Sequence, residues 1–575
     1  MKKLTLLLGI AAVGISLVAC SPDKGNETPK EDPNGAKITF SAGDGEFTNG
    51  NKNTVLTANT AGKVNMTDAP VCDGYAFIGW YNGNVQYNSN TSFKEDCTFT
   101  AKYVSGNTDE VYNALFDEQS TVSIDMNMSD AEWKKLSHDY TVNDKSPIYR
   151  VADSVTIGID NGTGMLYYYY KEVGVRMKGN TSRHEFYGDS GFTNNIHMKL
   201  SFKQTFDDTA DGYTSDEVKP FKDRWKADAD AKTVRKNRML GGMEKIDIKY
   251  NSTKDETYVR EMYAMKLFRD NGVIAPHVTM CSVTALEKNA TKKNMGVYRI
   301  HEAIDEAFIA RHFDDAEVGD LWKCTYSQKG PADMTNYDLD NRIGVEDELN
   351  REFYSYDKKT NKKKDKNTGL RDFSSMRNFI ETVSDVDTDA SVISQYLDVE
   401  QFAKFEAVNY ILGNPDCMRN NYNNYYVYFR KSDNKAVIIP YDYDRCLGLT
   451  NGWNPTGDAC MSLEPYTRRI AADGGASQNN PIYKKLICKG APTDSGSVLM
   501  KYKANLEELS ASSKVTAQTF NAYKDKFKSR YGKYTSDAIK TNGLAFDATD
   551  TGNTSYSTYI NKKLETLRNS INNYN

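Results

Sequence analysis

The sequence predicts an α+β protein in two folded parts, a small all-β module followed by a much larger domain of mixed helix and sheet. Three observations predict it. At 575 residues the chain is longer than one hydrophobic core supports, so two or more folded units are expected. Aromatic residues make up 11% of the chain, with 38 Tyr among them, and such rings favour strand-rich packing. Strand-like runs bounded by Gly turns fill 37–104, whereas Phe402, Phe405, Val408 and Leu412 recur at helical spacing. The formal net charge of -5 with 26% charged residues lacks the basic excess that nucleic acid attracts, so no nucleic-acid partner is expected.

The first element is a targeting segment. Lys2 and Lys3 precede an apolar run over 4–18 and the tetrapeptide Leu17-Val18-Ala19-Cys20. That run is too short for a comfortable membrane span, and small residues before a Cys fit a lipoprotein signal peptide over 1–19, removed as Cys20 is acylated. The mature protein is then expected to be exported and lipid-anchored to the bacterial membrane or cell surface. No later stretch approaches 18 apolar residues, so the lipid on Cys20 is the expected membrane contact. Residues 20–36 are the lipidated Cys and a small, polar, Pro-containing linker. Export lets disulfides persist among the remaining cysteines, and Cys72 with Cys97 is the first candidate bridge. The other six have neither CxxC spacing nor a His partner at metal-ligand spacing, so they do not indicate structural zinc.

The β module, 37–104, carries KITF at 37–40, GYAFIGWY at 74–81 and TFTAKY at 98–103. It resembles the Listeria-Bacteroides (internalin B-type) repeat found on bacterial surfaces, and Trp80 reads as its core aromatic. The large domain, 110–575, opens with an alternating strand at 122–126, a capping box at Ser129 and Glu132 before a helix carrying Trp133, and a strand at 173–177. Two hydrophilic stretches, 207–238 and 335–367, read as insertions. The Lys run of the second, Lys358, Lys359 and 362–364, reads as a solvated loop.

The chemistry is expected within 397–448. Asp398 with Gln401 three residues later can cap the helix noted above, and Gly413 with Pro415 ends it, which leaves Asp416 in a loop just past a helix end. Asn420, Asn421, Asn423 and Asn424 follow. A hairpin comes next, 425–429 and 436–439, and then the loop Tyr441-Asp442-Tyr443-Asp444. An Asp loop, an Asn a few residues on, a hairpin and a second Asp loop is an arrangement suited to phosphoryl transfer. One Asp orients the acceptor hydroxyl, and Asn with the second Asp holds a divalent ion against nucleotide phosphates. Asn and Asp clusters also form ordinary turns, and spacing alone leaves that reading open.

Ordered motifs over most of the chain from about Tyr112 add to it. They are Val175-Arg176-Met177-Lys178-Gly179-Asn180-Thr181-Ser182; Met198-Lys199-Leu200-Ser201-Phe202; Asp255 to Glu261 with Leu267-Phe268-Arg269; Gly296-Val297-Tyr298 with Glu302; the two Asp loops; and Asn480-Pro481-Ile482-Tyr483. Together they resemble the spore-coat protein H (CotH) kinase family. The resemblance implies a two-lobed atypical protein-kinase-like domain that transfers the γ-phosphoryl group of ATP, with Mg²⁺ or Mn²⁺, to Ser or Thr of a surface or coat protein. It also implies roles: Asp416 catalytic; Lys199 on the phosphates, paired with Glu261; Arg176, Asn180 and Ser182 in a loop near the phosphates; and Asp442, with Asp444 and either Asn421 or Asn424, on the metal. The chain departs from the family pattern at Lys178, Asn194, Asn195, Asn423 and Tyr441, and a Lys at 178 lacks the bidentate fork that Arg offers a phosphate.

Other enzyme classes find little support. Gly188-Asp189-Ser190-Gly191 spells a trypsin-like motif without a preceding His segment, no Walker motif occurs, and the six His are scattered and read as packing or surface residues. The competing reading is a non-catalytic surface adhesin or scaffold that retains the kinase-like fold.

Overall fold

A computed structural model describes residues 32–315, 317–450, 454, 457–465, 478–535 and 555–574. The signal segment and Cys20 lie outside the described residues.

The larger sheet has twelve strands, and seven of them form a closed circuit. In order of pairing the seven are Met165–Lys178, His197–Ser201, Lys245–Tyr250, Thr291–Glu302, Val278–Glu287, Thr121–Asn127 and Arg150–Asp160, which returns to Met165–Lys178. All neighbours are antiparallel except Val278–Glu287 and Thr121–Asn127, which are parallel. Closure is possible because Met165–Lys178 is 14 residues long. One of its edges pairs with Arg150–Asp160, and residues 174–178 of the other edge pair with His197–Ser201. Val122, Ile124, Ile157, Val175, Met198, Leu200, Ile248 and Ile300 belong to the single core enclosed by this ring, and Trp133 covers it from the helix Asp130–Val142, whose N-cap is Ser129.

The remaining five strands, Lys37–Ser41, Asn53–Thr57, Tyr75–Asn82, Val85–Gln86 and Cys97–Ser105, have their own core around Ile38, Phe40, Trp80 and Phe99. Trp80 packs against Phe40, Phe47 and Phe77 with ring centroids 5.2 to 5.8 Å apart. This group is hydrogen-bonded to the ring where Tyr75 and Ala76 pair with Tyr169 and Tyr168. The Cys72 to Cys97 bridge expected here is absent. All eight described cysteines are free thiols, Cys72 lying beside Asp44 and Asp73 and Cys97 beside Asp96.

A five-stranded sheet, ordered Ile343–Gly344, Tyr356–Lys358, Asp320–Cys324, Tyr425–Phe429, Ala436–Pro440, stands beside a helical core built from Arg260–Asp270, Ser374–Ser384, Val399–Leu412, Val498–Ala511, Ala517–Tyr531 and Tyr556–Ser570. Val399–Leu412 is apolar nearly all round, as a central helix must be, and eleven of its fourteen residues are buried. The stretch 207–238 forms two helices, Ser215–Ala227 and Ala229–Lys236. The Lys run divides. Lys362 to Lys364 are exposed, but Lys358 is buried on Asp320 at 2.8 Å, and Lys359 pairs with Glu346 at 3.1 Å. Two of these five lysines are therefore structural, because Tyr356–Lys358 is a sheet strand and carries its lysine inward. No helix among the described residues is long and apolar enough to cross a membrane.

Candidate active site

Strand alternation builds one wall of the site. Successive residues of a strand face opposite sides. As Val175, Met177, Met198, Leu200, Ile246, Ile248, Tyr298 and Ile300 enter the ring's core, Arg176, Lys178, His197, Lys199, Asp247, Lys249, Arg299 and His301 fall on the other face. Register sets Arg176, Lys199, Asp247 and His301 side by side in one row and Lys249 opposite Arg299 in the next.

The opposite wall is the helix Arg260–Asp270 and the loop after Ala436–Pro440. Lys249 Nζ lies 3.0 Å from Glu261 Oε1 and 2.7 Å from Asp442 Oδ1. Arg299 Nε and His301 Nε2 each stand 3.4 Å from the other Glu261 oxygen. The Glu261 side chain is fully buried. Burial opposes its ionisation, but the Lys249 and Arg299 charges outweigh burial and hold its carboxyl below the ordinary value. The balance at Lys249 is similar. Burial works against the ammonium, and Asp442 and Glu261 raise it well above the usual lysine range.

Asp442 has φ 58°, in the left-handed region, and Tyr422 has φ 52°. A non-Gly residue there carries strain of about 1–3 kcal/mol and persists where its surroundings fix it. The Asp442 carboxyl is held below its ordinary value because Lys249 outweighs its burial. Asp444, two residues on, goes the other way. Burial, then the Asp442 and Glu261 carboxylates, raise it to about 8. Asp442 and the neighbouring Asp444 offer carboxylate oxygens of the kind a hard divalent ion takes.

The helix Val399–Leu412 delivers the second loop. Asp398 caps it by accepting from Gln401 N, Gln401 Nε2 donates to Ile438 O rather than back to the cap, and Gly413 closes it with φ 56°. Arg419 pairs with the buried Glu406 of that helix and donates to Ser462 O at 2.7 Å, which pins the loop. Asp416 Oδ1 accepts from Asn421 Nδ2 at 2.6 Å and from Asn423 Nδ2 at 3.1 Å, and its carbonyl accepts from Asn424 Nδ2 at 2.8 Å. Asn414 joins the two Asp loops, accepting from Asp416 N at 2.9 Å and donating to Asp442 O at 3.5 Å.

Of the residues named from sequence, Glu261, Asp442 and Asp444 converge, and Asp416 sits in the adjoining loop. Asn421 and Asn424 turn their amide nitrogens to Asp416, which leaves their oxygens as the atoms a cation would take. Lys199 does not meet Glu261. It pairs with Asp247 at 3.0 Å, and Lys249 holds the place against Glu261. The physical reason is register: Lys199 is one strand farther from the helix, and Asp247, directly opposite, captures it. Arg176 is bound to Glu348 and lies over the Tyr149 ring at 5.4 Å. Asn180 is exposed and Ser182 half-buried in the turn after Lys178, a turn that Arg183 fastens by donating to Gly179 O at 2.7 Å.

Three lysines ring Tyr441; the sequence reading singled out Lys178 among them and missed Lys249 and Lys323. Lys178, Lys249 and Lys323 stand 5.4, 5.6 and 5.7 Å from the ring centroid, and Lys178 donates to its hydroxyl at 2.9 Å. Lys178 also pairs with Asp247. Lys249 carried a readable signal, since it is the strand lysine twelve residues ahead of Glu261, and a strand lysine paired with a glutamate on a helix is the kinase arrangement.

The profile of the CotH kinase protein family matches residues 212–573. This chain belongs to that family. The CotH match takes in Lys249, Glu261, Asp416, Asp442 and Asp444, and begins after Arg176, Asn180, Ser182 and Lys199. A solved structure described as the Helicobacter pylori proinflammatory kinase CtkA is similar over 52% of this chain and 89% of its own, at 10% identity and a TM-score of 0.22, too low to bear on the fold. No curated protein matches.

Proposed function

We propose that this CotH-family chain is a metal-dependent kinase that transfers the γ-phosphoryl group of ATP to Ser or Thr of a surface or coat protein. The observation that carries the reading is the meeting of Glu261 and Asp442 on one buried ammonium, Lys249, beside the Asp416 loop. We read the strand ring and the helical core as the two lobes of an atypical kinase, with Lys249 contributed by the ring and Glu261 and both Asp loops by the opposite wall.

Asp442 and Asp444, with the amide oxygen of Asn421 or Asn424, would hold Mg²⁺ or Mn²⁺, which when bound supplies charge to neutralise the phosphate oxygens. Lys249, fixed by Glu261, presents its ammonium where negative charge gathers on the nucleotide. Lys178 and Lys323, around Tyr441, add positive potential at the rim. Asp416, its carboxylate oriented by Asn421 and Asn423, accepts the proton of the acceptor hydroxyl as that oxygen attacks the γ-phosphorus and the bond from phosphorus to the β–γ bridging oxygen breaks, releasing ADP. In this reading the chain is exported as a lipoprotein acylated at Cys20.

The test is transfer of labelled γ-phosphate by the protein lacking residues 1–20, with Mg²⁺ or Mn²⁺, in wild type, Asp416→Ala and Asp442→Ala. Label on the protein itself or on a Ser-rich acceptor, lost in both variants, supports the reading. No label, together with no thermal stabilisation by nucleotide in either metal, overturns it in favour of a non-catalytic scaffold.

A further inference from the structure

The ring carries a second cluster that the kinase reading does not use. Adjacent strand residues face opposite sides, so while His301 faces Glu261, Glu302 at the end of the same strand faces elsewhere and meets His277 and His312. His277 precedes the strand Val278–Glu287, and the antiparallel end pair fixes it against Glu302: Glu302 N donates to His277 O at 2.9 Å, and His277 N donates to Glu302 Oε2 at 3.0 Å. His312 is brought back by the helix Glu306–His312. Among the described residues, His277, Glu302 and His312 alone bring three His, Cys, Asp or Glu ligand atoms within 4.8 Å of one another.

Two of the three ligand spacings match those around a tetrahedral ion. His277 Nδ1 and His312 Nε2 are each 3.4 Å from Glu302 Oε2, and ligands about 2.0–2.2 Å from a zinc ion at tetrahedral angles stand roughly 3.3–3.5 Å apart. The two rings stack 18° from parallel with centroids 5.9 Å apart. Glu302 is fully buried, and Arg311 binds its other oxygen, Oε1, at 2.8 Å. That leaves Oε2 to the His277 backbone N–H and the two imidazoles. His277 and His312 keep side-chain exposures of 28% and 17%, so an ion could enter and retain an open position. The Tyr112 hydroxyl lies 2.9 Å from His277 Nδ1, and an ion has to displace it.

We propose that His277, Glu302 and His312 bind one divalent ion of the zinc class. Two imidazoles and a carboxylate favour Zn²⁺ over Mg²⁺, which takes oxygen donors. The ion ties two strand ends to the helix that follows them, and its binding does not depend on phosphoryl transfer. The competing arrangement is a metal-free network in which the imidazoles donate to Glu302.

The experiment uses the purified full chain in detergent, stripped with chelator and titrated with Zn²⁺, then with Co²⁺ as a spectroscopic probe. Variants are His277→Ala, His312→Asn, and the pair Asp442→Asn with Asp444→Asn, which removes the candidate magnesium ligands. One zinc per chain and the visible absorption of four-coordinate Co²⁺ are expected in wild type and in the Asp variant. Affinity should fall at least about 100-fold in either His variant, because loss of even an outer-shell partner costs roughly 10–100-fold. Near-ultraviolet circular dichroism checks that the variants fold, and His312→Asn keeps a polar group on Glu302 should His277→Ala fail that check. Equal zinc uptake by wild type and a folded His variant, no uptake by wild type, or loss of uptake in the Asp variant would overturn the proposal.

Discussion

Lys249 is held by two carboxylates, Glu261 twelve residues later and Asp442 at a sequence separation of 193, whereas among the described residues Lys199 forms an ion pair with Asp247 alone. Lys249→Met is therefore expected to lower kcat/KM for phosphoryl transfer about 100-fold, the effect of removing one preorganised charge-stabilising donor, and Lys199→Met by less than about tenfold. Steady-state kinetics of both variants checks this, and a larger loss at Lys199 would return it to the phosphates. Asp444 supplies a pH dependence. Its folded carboxyl titrates near 8 and an unfolded one near 4, so between those values the folded protein holds a proton that the unfolded chain has released. Stability contributed by that proton is complete below about pH 4 and is lost as pH rises toward about 8. Without metal, Asp444→Asn is expected to raise Tm by a few degrees at pH 8 and to leave it unchanged at pH 4, and in wild type Mg²⁺ should bind more tightly as pH rises because it displaces that proton. Thermal scans across pH, with and without Mg²⁺, read both effects. Asp416 and Asp442 were readable in sequence because each follows a helix end or a strand end marked by Gly, Pro and Asn. The choice between Lys199 and Lys249 was not readable, since both lie in alternating strands and only the pairing register decides which one faces the Glu261 helix.

At the scale of elements, the Asp416 loop depends on how Val399–Leu412 ends. Gly413 has φ 56°, and a Cβ there would stand 2.0 Å from the Tyr559 hydroxyl. Gly413→Ala combines left-handed strain with that clash and is expected to cost about 2–4 kcal/mol in urea unfolding, with kcat falling further than KM rises because Asp416 shifts. The cap, the Gly stop and the hairpin could all be read from local residue types, since the interactions that make them span three or four positions. Gln401 escaped that reading, because its amide goes to Ile438 across the sheet instead of completing the cap. Lys358 and Lys359 escaped for the same reason: a run of lysines reads as solvated until a strand pairing carries two of them inward onto Asp320 and Glu346.

The whole molecule divides between a ring that closes without help and the β module attached to its edge. Strand pairing with the ring is confined to Tyr75 and Ala76, extended by Gly74 N to Tyr169 O at 2.7 Å and Lys171 N to Asp73 at 2.9 Å and supported by Lys171 to Glu46 at 3.1 Å and Arg238 to Asp73 at 2.5 Å. Deleting residues 21–105 is therefore expected to leave the ring folded, while baring the edge at Tyr168 and Tyr169 and promoting self-association through it. Light scattering and circular dichroism together test this, and collapse of the fold would show that the module is part of the ring's core. Closure was not legible in the sequence, because it rests on pairing two strands separated by residues 179–196, which fold into a short hairpin of their own, in a register that no local pattern specifies. It has a further consequence for how the molecule opens. An open sheet can fray from its outermost strand, but a circuit has no outermost strand, and Met198, Lys199, Leu200 and Ser201 of His197–Ser201 are paired on both sides. Their amide hydrogens should exchange with deuterium only when the ring opens as a unit, among the slowest in the protein, while those of Asn53–Thr57 at the free edge exchange first. Lys178, Lys199, Asp247 and Lys249 would then be lost or regained together, so that partial unfolding leaves their face of the ring either whole or absent.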